Sequence, residues 1–344
     1  MAYASAPRRH GPVDRGLSLV EVLVALGLSA GIALGALTMA QVLFQTHRDQ
    51  EQIHTLSENL RGALAQMMAD IRLAGAGLSS GVAHNAAGGP VTHIPAVRVI
   101  NSSTGPDQLE LLTVPGSAVV TVLAPVQANS VQLLVDSRGS AALQSGDYLL
   151  LSDYTHAVLY RAQSITDTVL GGIPAVGVGV SPAPSFPVTQ FPAGSLVMRA
   201  AVVRYSIGPG TAVGMPETSL LLVEDGAPLG TTTQTGAVAE HIYDMQIAVG
   251  IDGIGGHAAD GNLTEVGLMA GDDEWVFNVP GESLPPAPFV LRALRVVLVG
   301  RTPLEGSQLG PGRPAAEDHP AGAPDRFRWR VQREVIMIRN MVLR

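Results

Sequence analysis

The chain has 344 residues, of which 46% are hydrophobic and 15% charged, and it carries a formal net charge of −8. This length and composition allow a substantial buried core, whereas the absence of cysteine excludes thiolate catalysis and cysteine-ligated metal sites. An acidic balance without a run of basic residues argues against nucleic-acid binding.

The chain begins with a short polar leader, residues 1–16, which carries three arginines and ends at Gly16. Residues 17–44 are apolar almost throughout and exceed the roughly 20 residues that a helix needs to cross a bilayer core. A secretory signal has its small-residue cleavage site after the apolar region. Here the small residue precedes that region, so cleavage would leave the hydrophobic helix on the mature chain. The basic leader predicts a cytoplasmic N-terminus and an extracytoplasmic remainder.

Glu21 is the single charged residue of the apolar run. A carboxylate in a membrane helix costs about 2.5–3.5 kcal/mol on insertion scales, so such a residue is a functional candidate. Cleavage after Gly16 would create an α-amino group on Leu17, which is largely protonated at neutral pH. That amine and Glu21 of a neighbouring subunit would then neutralise each other in an apolar environment. The alternative is that Glu21 lies near the lipid headgroups, where its charge costs little.

The segment RGLSLVEVLVAL, residues 15–26, resembles the class III signal of type IV pilins and type II secretion pseudopilins. The resemblance implies that a prepilin peptidase cuts after Gly16 and that Leu17 becomes the N-methylated first residue. It also implies that Glu21 sets the register between subunits in a filament. Most members of the family have Phe at the position of Leu17, so Leu is a departure from the pattern.

Three glycines, Gly27, Gly31 and Gly35, recur every four residues within the apolar run and share one face of the predicted helix. Small residues at this spacing allow membrane helices to approach each other closely. The pattern therefore indicates packing against other subunits, and the alternative is that glycine is simply common in membrane helices.

Polarity rises sharply after residue 44, and residues 45–75 are expected to continue the same helix in amphipathic form. Apolar residues at intervals of three or four form one stripe, which predicts a helix face that lies on a sheet. The stripe consists of Ile53, Leu56, Leu60, Leu64, Met67 and Ile71. Together, the two stretches predict one helix from Leu17 to Leu73, with Gly75 and Gly77 available to end it.

The segment DIRLAGAGLSSG, residues 70–81, narrows the resemblance to the PilW family of minor pilins. Residues 146–165, 241–252 and 292–301 are similar to PilW-type sequence as well, in the expected order. The resemblance implies an α+β, pilin-like fold, in which a long N-terminal helix packs on an antiparallel, β-rich C-terminal domain. That domain would comprise residues 76–344.

β-Type runs bounded by turn residues follow the helix, whereas residues 79–105, 171–195 and 302–325 are expected to form surface loops. The predicted strands are 108–114, 118–123, 131–135, 148–151, 157–162, 196–207, 219–223, 243–250, 289–301 and 326–338. In the last strand, Phe327, Trp329 and Val331 are expected to face the core. The alternation falters at Gln332 and Arg333, which indicates either a bulge or the point where burial on both faces begins.

An acidic, glycine-rich stretch at residues 252–273 is a candidate calcium site, because calcium takes six to eight oxygen ligands. Its candidate ligands are Asp252, Asp260, Asn262, Glu265, Asp272 and Asp273. The spacing does not match an EF-hand, so the interpretation that we favour is a solvated turn without metal.

The sequence contains no P-loop, dinucleotide fingerprint, G-x-S-x-G elbow or H-E-x-x-H motif, so we expect neither an enzyme nor a cofactor. The histidines are scattered, and none accompanies an obvious nucleophile. They are expected to be ordinary surface or core residues, namely His84, His93, His156, His241, His257 and His319.

The function implied by the resemblance is that of a minor pilin of the type IV pilus, which helps to prime assembly and sits at or near the filament tip. The implied location is the bacterial inner membrane, with a single pass and a periplasmic C-terminal domain, and later the cell surface. The implied partners are other minor pilins, the major pilin, prepilin peptidase and the inner-membrane assembly platform. Two alternatives stay open: a J-type pseudopilin of type II secretion, and an extracytoplasmic enzyme or binding protein anchored by one helix.

Overall fold

The computed structural model describes residues 18–78, 81–87, 93–115, 119–182, 188–209, 219–226, 234–265, 271–286, 289–306 and 308–338. The chain divides into two units, Met1–Glu51 and Gln52–Arg344. The first unit contains the apolar part of a long helix, and the second contains the rest of that helix and the β-strands.

The helix α1 extends without interruption over Leu19–Leu73, which confirms a single long N-terminal helix. It contains no proline, the residue that breaks a helix most strongly. Beyond its last residue, Gly75 and Gly77 both adopt positive φ angles, 71° and 81°. The Gly75 N–H donates to the Leu112 carbonyl at 3.0 Å, so the chain leaves the helix directly onto a strand.

Nineteen strands follow within the described residues. They are β1 (Val82–Asn85), β2 (His93–Pro95), β3 (Val97–Ile100), β4 (Gln108–Thr113), β5 (Val119–Thr121), β6 (Val126–Gln127), β7 (Gln132–Asp136), β8 (Tyr148–Ser152), β9 (Ala157–Arg161), β10 (Ser164–Leu170), β11 (Ile173–Gly179), β12 (Gln190–Phe191), β13 (Leu196–Pro209), β14 (Ser219–Gly226), β15 (Gln234–Glu240), β16 (Ile242–Asp252), β17 (Trp275–Val276), β18 (Val290–Arg301) and β19 (Trp329–Met337).

The strands form four sheets in the described part of the chain. In the largest, ten strands are arranged around the long strand β13, along the path β15-β14-β13-β8-β9-β1-β2, with β3, β4 and β5 off that path. The other sheets have the orders β10-β11-β7, β12-β6 and β17-β16-β18-β19. Pairing is antiparallel apart from β1, which runs parallel to β9. The chain is therefore α+β, with a β-rich C-terminal part built from antiparallel sheets.

The predicted apolar stripe of the second half of α1 lies in the main hydrophobic core. Leu56, Leu60, Leu64, Met67 and Ile71 are buried there with side chains of β4, β13, β16 and β18. Ile53 is half-buried, and the structure adds Ala63 to the buried set. The Tyr205 hydroxyl on β13 donates a hydrogen bond to the Asp70 carboxylate of the helix.

A second core lies on the opposite face of the largest sheet. Leu150 of β8 belongs to the main core, whereas its neighbours Leu149 and Leu151 pack in the second core with Tyr160 and Phe191. Because β8 is covered on both faces, its sequence is continuously apolar rather than alternating.

Two of the predicted loops contain strands, which corrects the sequence interpretation. Residues 79–105 include β1, β2 and β3, and residues 171–195 include β11. The β11 strand pairs with β10 across the two-residue turn of Gly171 and Gly172, which have φ angles of 58° and 86°. The glycines that suggested a loop are the turn of a hairpin, since such turns require positive φ.

The prediction for the end of the chain was wrong in detail. β19 begins at Trp329, pairs with β18 in unbroken register as far as Met337 and has no bulge. Val331 is 42% exposed rather than buried, because β19 is the terminal strand of its sheet. The Arg301 guanidinium lies 4.0 Å from the Tyr243 ring centre and 3.8 Å from that of Phe327.

Gly300 on β18 allows α1 to pack closely on this sheet, because it has no side chain. A methyl group at this position would lie 2.6 Å from Leu56 Cδ1 and 3.1 Å from the His241 carbonyl oxygen. We expect Gly300→Ala to destabilise the folded chain by about 1–3 kcal/mol, because a well-packed core does not accept an extra carbon without displacement. Denaturant unfolding of the full chain in detergent, followed by circular dichroism, measures the change.

Gly62 supplies the matched control. It lies on α1, the helix that carries Leu56. Nothing lies within 4 Å of a methyl group placed there, so Gly62→Ala should stabilise the helix by up to about 1 kcal/mol. Equal effects of the two substitutions would contradict the close packing of Leu56 on Gly300.

Candidate functional site

The first turn of α1 is closed by reciprocal hydrogen bonds between Ser18 and Glu21. The Ser18 backbone N–H donates to Glu21 Oε2 at 2.9 Å, and the Glu21 N–H donates to Ser18 Oγ at 3.2 Å. This is a capping box, which satisfies two backbone donors at a helix start. The sequence analysis missed it, although a Ser-x-x-Glu pattern before an apolar run is its signal. Gly16 and Leu17 lie outside the described residues, so their processing stays a prediction.

The first half of α1 exposes its apolar side chains within its own unit; Leu19 is 77% exposed and Phe44 74%. Among the described residues, α1 is one helix that is long and apolar enough to cross a membrane. Its hydroxyls are satisfied within the helix: Ser29 donates to the Ala25 carbonyl at 2.6 Å and Thr46 to the Val42 carbonyl at 2.9 Å. Such internal bonds remove the need for water, which a lipid environment does not provide.

Gly27, Gly31 and Gly35 form an open face on this part of the helix. A methyl group placed at any of them meets no heavy atom of the described residues within 4 Å. Contacts inside the described chain therefore do not require glycine at these positions. Packing against another helix would, because side chains would hold two backbones apart.

The acidic stretch at residues 252–273 is held by hydrogen bonds within the protein. Asp252 Oδ2 accepts from Arg292 Nη2 at 2.9 Å and from the Gly261 N–H at 3.0 Å. The Asp273 carboxylate accepts from the Trp275 N–H at 3.0 Å and from Asn278 Nδ2 at 2.8 Å. Both candidate calcium ligands thus accept hydrogen bonds from protein donors, Asp252 through Oδ2 alone.

The other candidates of this stretch have different surroundings. Asp260 Oδ1 accepts from the Asn262 N–H at 2.9 Å, and Glu265 pairs with Arg295 at 2.7 Å. The backbone carbonyl of Asp272 lies 3.1 Å from His257 Nε2. In the part of the chain that the structure describes, no group of three or more His, Asp or Glu side chains is arranged to hold a metal ion.

Glu274, which the sequence analysis did not single out, organises this stretch. It is buried, and its two carboxylate oxygens accept from the Gly253 N–H at 2.6 Å and the Thr264 N–H at 2.7 Å. Gly255 lies beside it with φ of 64°, and a methyl group there would lie 2.4 Å from the Asp273 carbonyl oxygen. A short loop thereby keeps its shape through one buried carboxylate and one obligatory glycine.

A cluster of three buried carboxylates, Asp107, Asp244 and Asp318, lies where β16 meets the residues just before β4 and residues 308–325, the latter within a predicted loop. Asp107 accepts from the Ser102 and Ile247 N–H groups, both at 2.7 Å. Burial raises the pKa of Asp107 to about 7, the two N–H donors oppose that rise, and the neighbouring carboxylates add to it. Burial also raises the pKa of Asp318.

Residues 308–325 contribute two basic side chains, Arg313 and His319, to this cluster. The Arg313 guanidinium contacts the Asp244 carboxylate, and His319 Nδ1 lies 2.7 Å from Asp244 Oδ2. Gln246 Nε2 donates to Asp244 Oδ1 at 2.8 Å, and Asn101 Nδ2 donates to Asp318 Oδ2 at 2.9 Å. Residues 308–325 were predicted to lie in a surface loop, but they contribute side chains to this buried, hydrogen-bonded cluster.

No family model, no curated protein and no solved structure matches the chain in comparisons with known proteins. Its function must therefore be argued from its own residues.

The carboxylate cluster predicts a pH dependence of stability. Asp107 titrates near pH 7 in the folded chain and near 3.9 when unfolded, so the folded chain binds more protons between these values. Its contribution to stability is therefore present at low pH and lost as the pH rises towards 7. We expect the free energy of unfolding to fall between about pH 4 and pH 7, with a slope from this group of at most about 1.4 kcal/mol per pH unit.

The Asp107→Asn variant should show a smaller slope in the same unfolding measurement, because the amide does not titrate. A constant offset is also expected, since the amide has one acceptor oxygen for two N–H donors. Asp167→Asn on the exposed strand β10 is the control and should keep the wild-type slope. Equal slopes for Asp107→Asn and wild type would contradict the assignment.

Proposed function

We propose that the chain is a minor pilin of the PilW family, a non-catalytic subunit that helps to prime type IV pilus assembly at the inner membrane. The observation that carries the proposal is the apolar first half of α1, which exposes its side chains and begins at Leu19, directly after the capping residue Ser18. A pilin-like fold with this helix and an antiparallel β-rich domain is part of the same proposal.

The capping box supports the proposed maturation. A cut after Gly16 removes only residues that precede the box and leaves Ser18 and Glu21 on the mature chain. The helix would therefore keep its first turn after the leader has gone. Leu17 would precede the cap and carry the new α-amino group.

The open glycine face supports the proposed partners. In an assembled filament, Gly27, Gly31 and Gly35 would allow the helices of other minor pilins or of the major pilin to approach. The proposed subunit has a cytoplasmic N-terminus and a periplasmic C-terminal domain before assembly, and it reaches the cell surface afterwards. Prepilin peptidase and the inner-membrane assembly platform would act on it in turn.

Mass spectrometry of the N-terminus tests the proposal directly. The protein purified from its native membrane should begin at N-methyl-Leu17, because the leader would be cut after Gly16. An intact leader would favour a protein that is merely anchored by one helix, and cleavage beyond residue 44 would remove the class altogether. Co-purifying subunits would separate a pilus from a J-type pseudopilin of type II secretion.

Substitutions of Glu21 separate its charge from its role in the helix cap. Glu21→Gln keeps a side chain that can complete a capping box but removes the negative charge. We expect this variant to insert into the membrane as wild type and to be depleted from sheared filaments, by about tenfold or more if pairing with the Leu17 amine is worth at least 1.4 kcal/mol. Quantitative immunoblotting of membrane and filament fractions measures both.

Ser18→Ala is the matched control, because it removes the cap hydroxyl and leaves the charge. If register depends on the charge, Ser18→Ala should assemble far better than Glu21→Gln. Depletion of Ser18→Ala alone would mean that Glu21 acts through the cap and would overturn its assigned role.

A further inference from the structure

Two histidines face each other at the outer edge of the largest sheet. His84 on β1 and His93 on β2 are direct cross-strand partners. Their ring centres are 4.5 Å apart, and the ring planes are inclined by 59°. Since β2 is the terminal strand of the sheet path and His93 is exposed, the pair is open to solvent on one side.

The distance of 4.5 Å between the two ring centres is close to that expected for two imidazoles bound to one ion. A metal about 2.0–2.1 Å from a ring nitrogen lies about 3.2 Å from the ring centre, so two rings around it are about 4.5 Å apart at a right angle and about 5.2 Å apart at a tetrahedral angle. Directly opposite residues of an antiparallel pair have Cβ atoms about 4.5–5.5 Å apart, so the strand register brings the two imidazoles within reach of one ion.

We propose that His84 and His93 chelate one divalent transition metal ion of the Zn²⁺, Ni²⁺ or Cu²⁺ class, with water in the remaining positions. Imidazole nitrogen suits these ions, whereas Ca²⁺ and Mg²⁺ require oxygen ligands. The ion would join β1 to the three-residue strand β2 and hold the edge of the sheet. This inference is independent of the proposed role in pilus assembly.

Titration with Zn²⁺ tests the site on the full chain, purified in detergent without a histidine tag and stripped with a chelator. Isothermal calorimetry should show one ion per chain. His93→Gln and His84→Gln should each weaken binding by at least about tenfold, the lower end of what loss of even an outer-shell partner costs. Zn²⁺ should also raise the midpoint of thermal unfolding of wild type, but not of His93→Gln.

His54→Gln is the control, because His54 is an exposed histidine on α1 that lies 3.4 Å from Glu58. It should bind Zn²⁺ as wild type does, and titration with Ca²⁺ should give no specific heat. His93 is exposed, so its replacement is not expected to unfold the chain; circular dichroism checks this. Zn²⁺ affinity that is unchanged in His93→Gln, or absent from wild type, would overturn the proposal.

Discussion

The burial of one helix stripe holds the C-terminal part of the molecule together. Leu56, Leu60, Leu64, Met67 and Ile71 fill the main core, and burial of each such side chain contributes about 1.5–3 kcal/mol before the entropy cost. Residues from four strands of two different sheets meet this stripe. These sheets share no edge, and side chains of both pack with the helix stripe in one core.

The polar side chains of α1 form different kinds of hydrogen bond in the two halves of the helix. In the apolar half, the hydroxyls of Ser29 and Thr46 donate to backbone carbonyls one turn back, so these groups do not need water or another element as a partner. In the amphipathic half, Asp70 accepts a hydrogen bond from Tyr205 of the sheet. The first pattern suits a segment whose surroundings are supplied by lipid or by other helices. The second suits a segment whose surroundings are supplied by its own fold.

Periodicity made the helix and the long strands predictable from sequence, because both depend on neighbours within one segment. The helix end at Leu73, the stripe through Ile71 and strands such as β13 and β18 follow from that pattern. The short strands β1 to β3 could not be predicted in the same way. Strands of three or four residues carry too few alternations, and their formation depends on partners that are distant in sequence.

The candidate site residues divide in the same way. Some are predictable from their spacing within one segment, and others are brought together only by contacts between distant segments. Glu21 and the glycine row are visible in the sequence, since their meaning lies in spacing along one helix. The carboxylate cluster and the pair of His84 and His93 are not visible, since they arise from register and from contacts between remote segments. Asp107 and Asp318 are 211 positions apart in number, yet the charge of Asp318 helps to raise the pKa of Asp107. The error at Val331 has a related cause, because alternation indicates a face but not whether anything covers it.

The two tasks assigned to Glu21 are compatible in physical terms. The capping box uses one carboxylate oxygen, Oε2, and a carboxylate offers two oxygens with about four acceptor positions. Capping fixes the side chain at the helix start, so little further conformational entropy is lost when a neighbouring amine binds it. An uncapped glutamate in lipid would be drawn towards the headgroups, whereas a capped one is held beside the first turn. In the proposed assembly, the cap therefore positions the charge that a neighbouring subunit must meet.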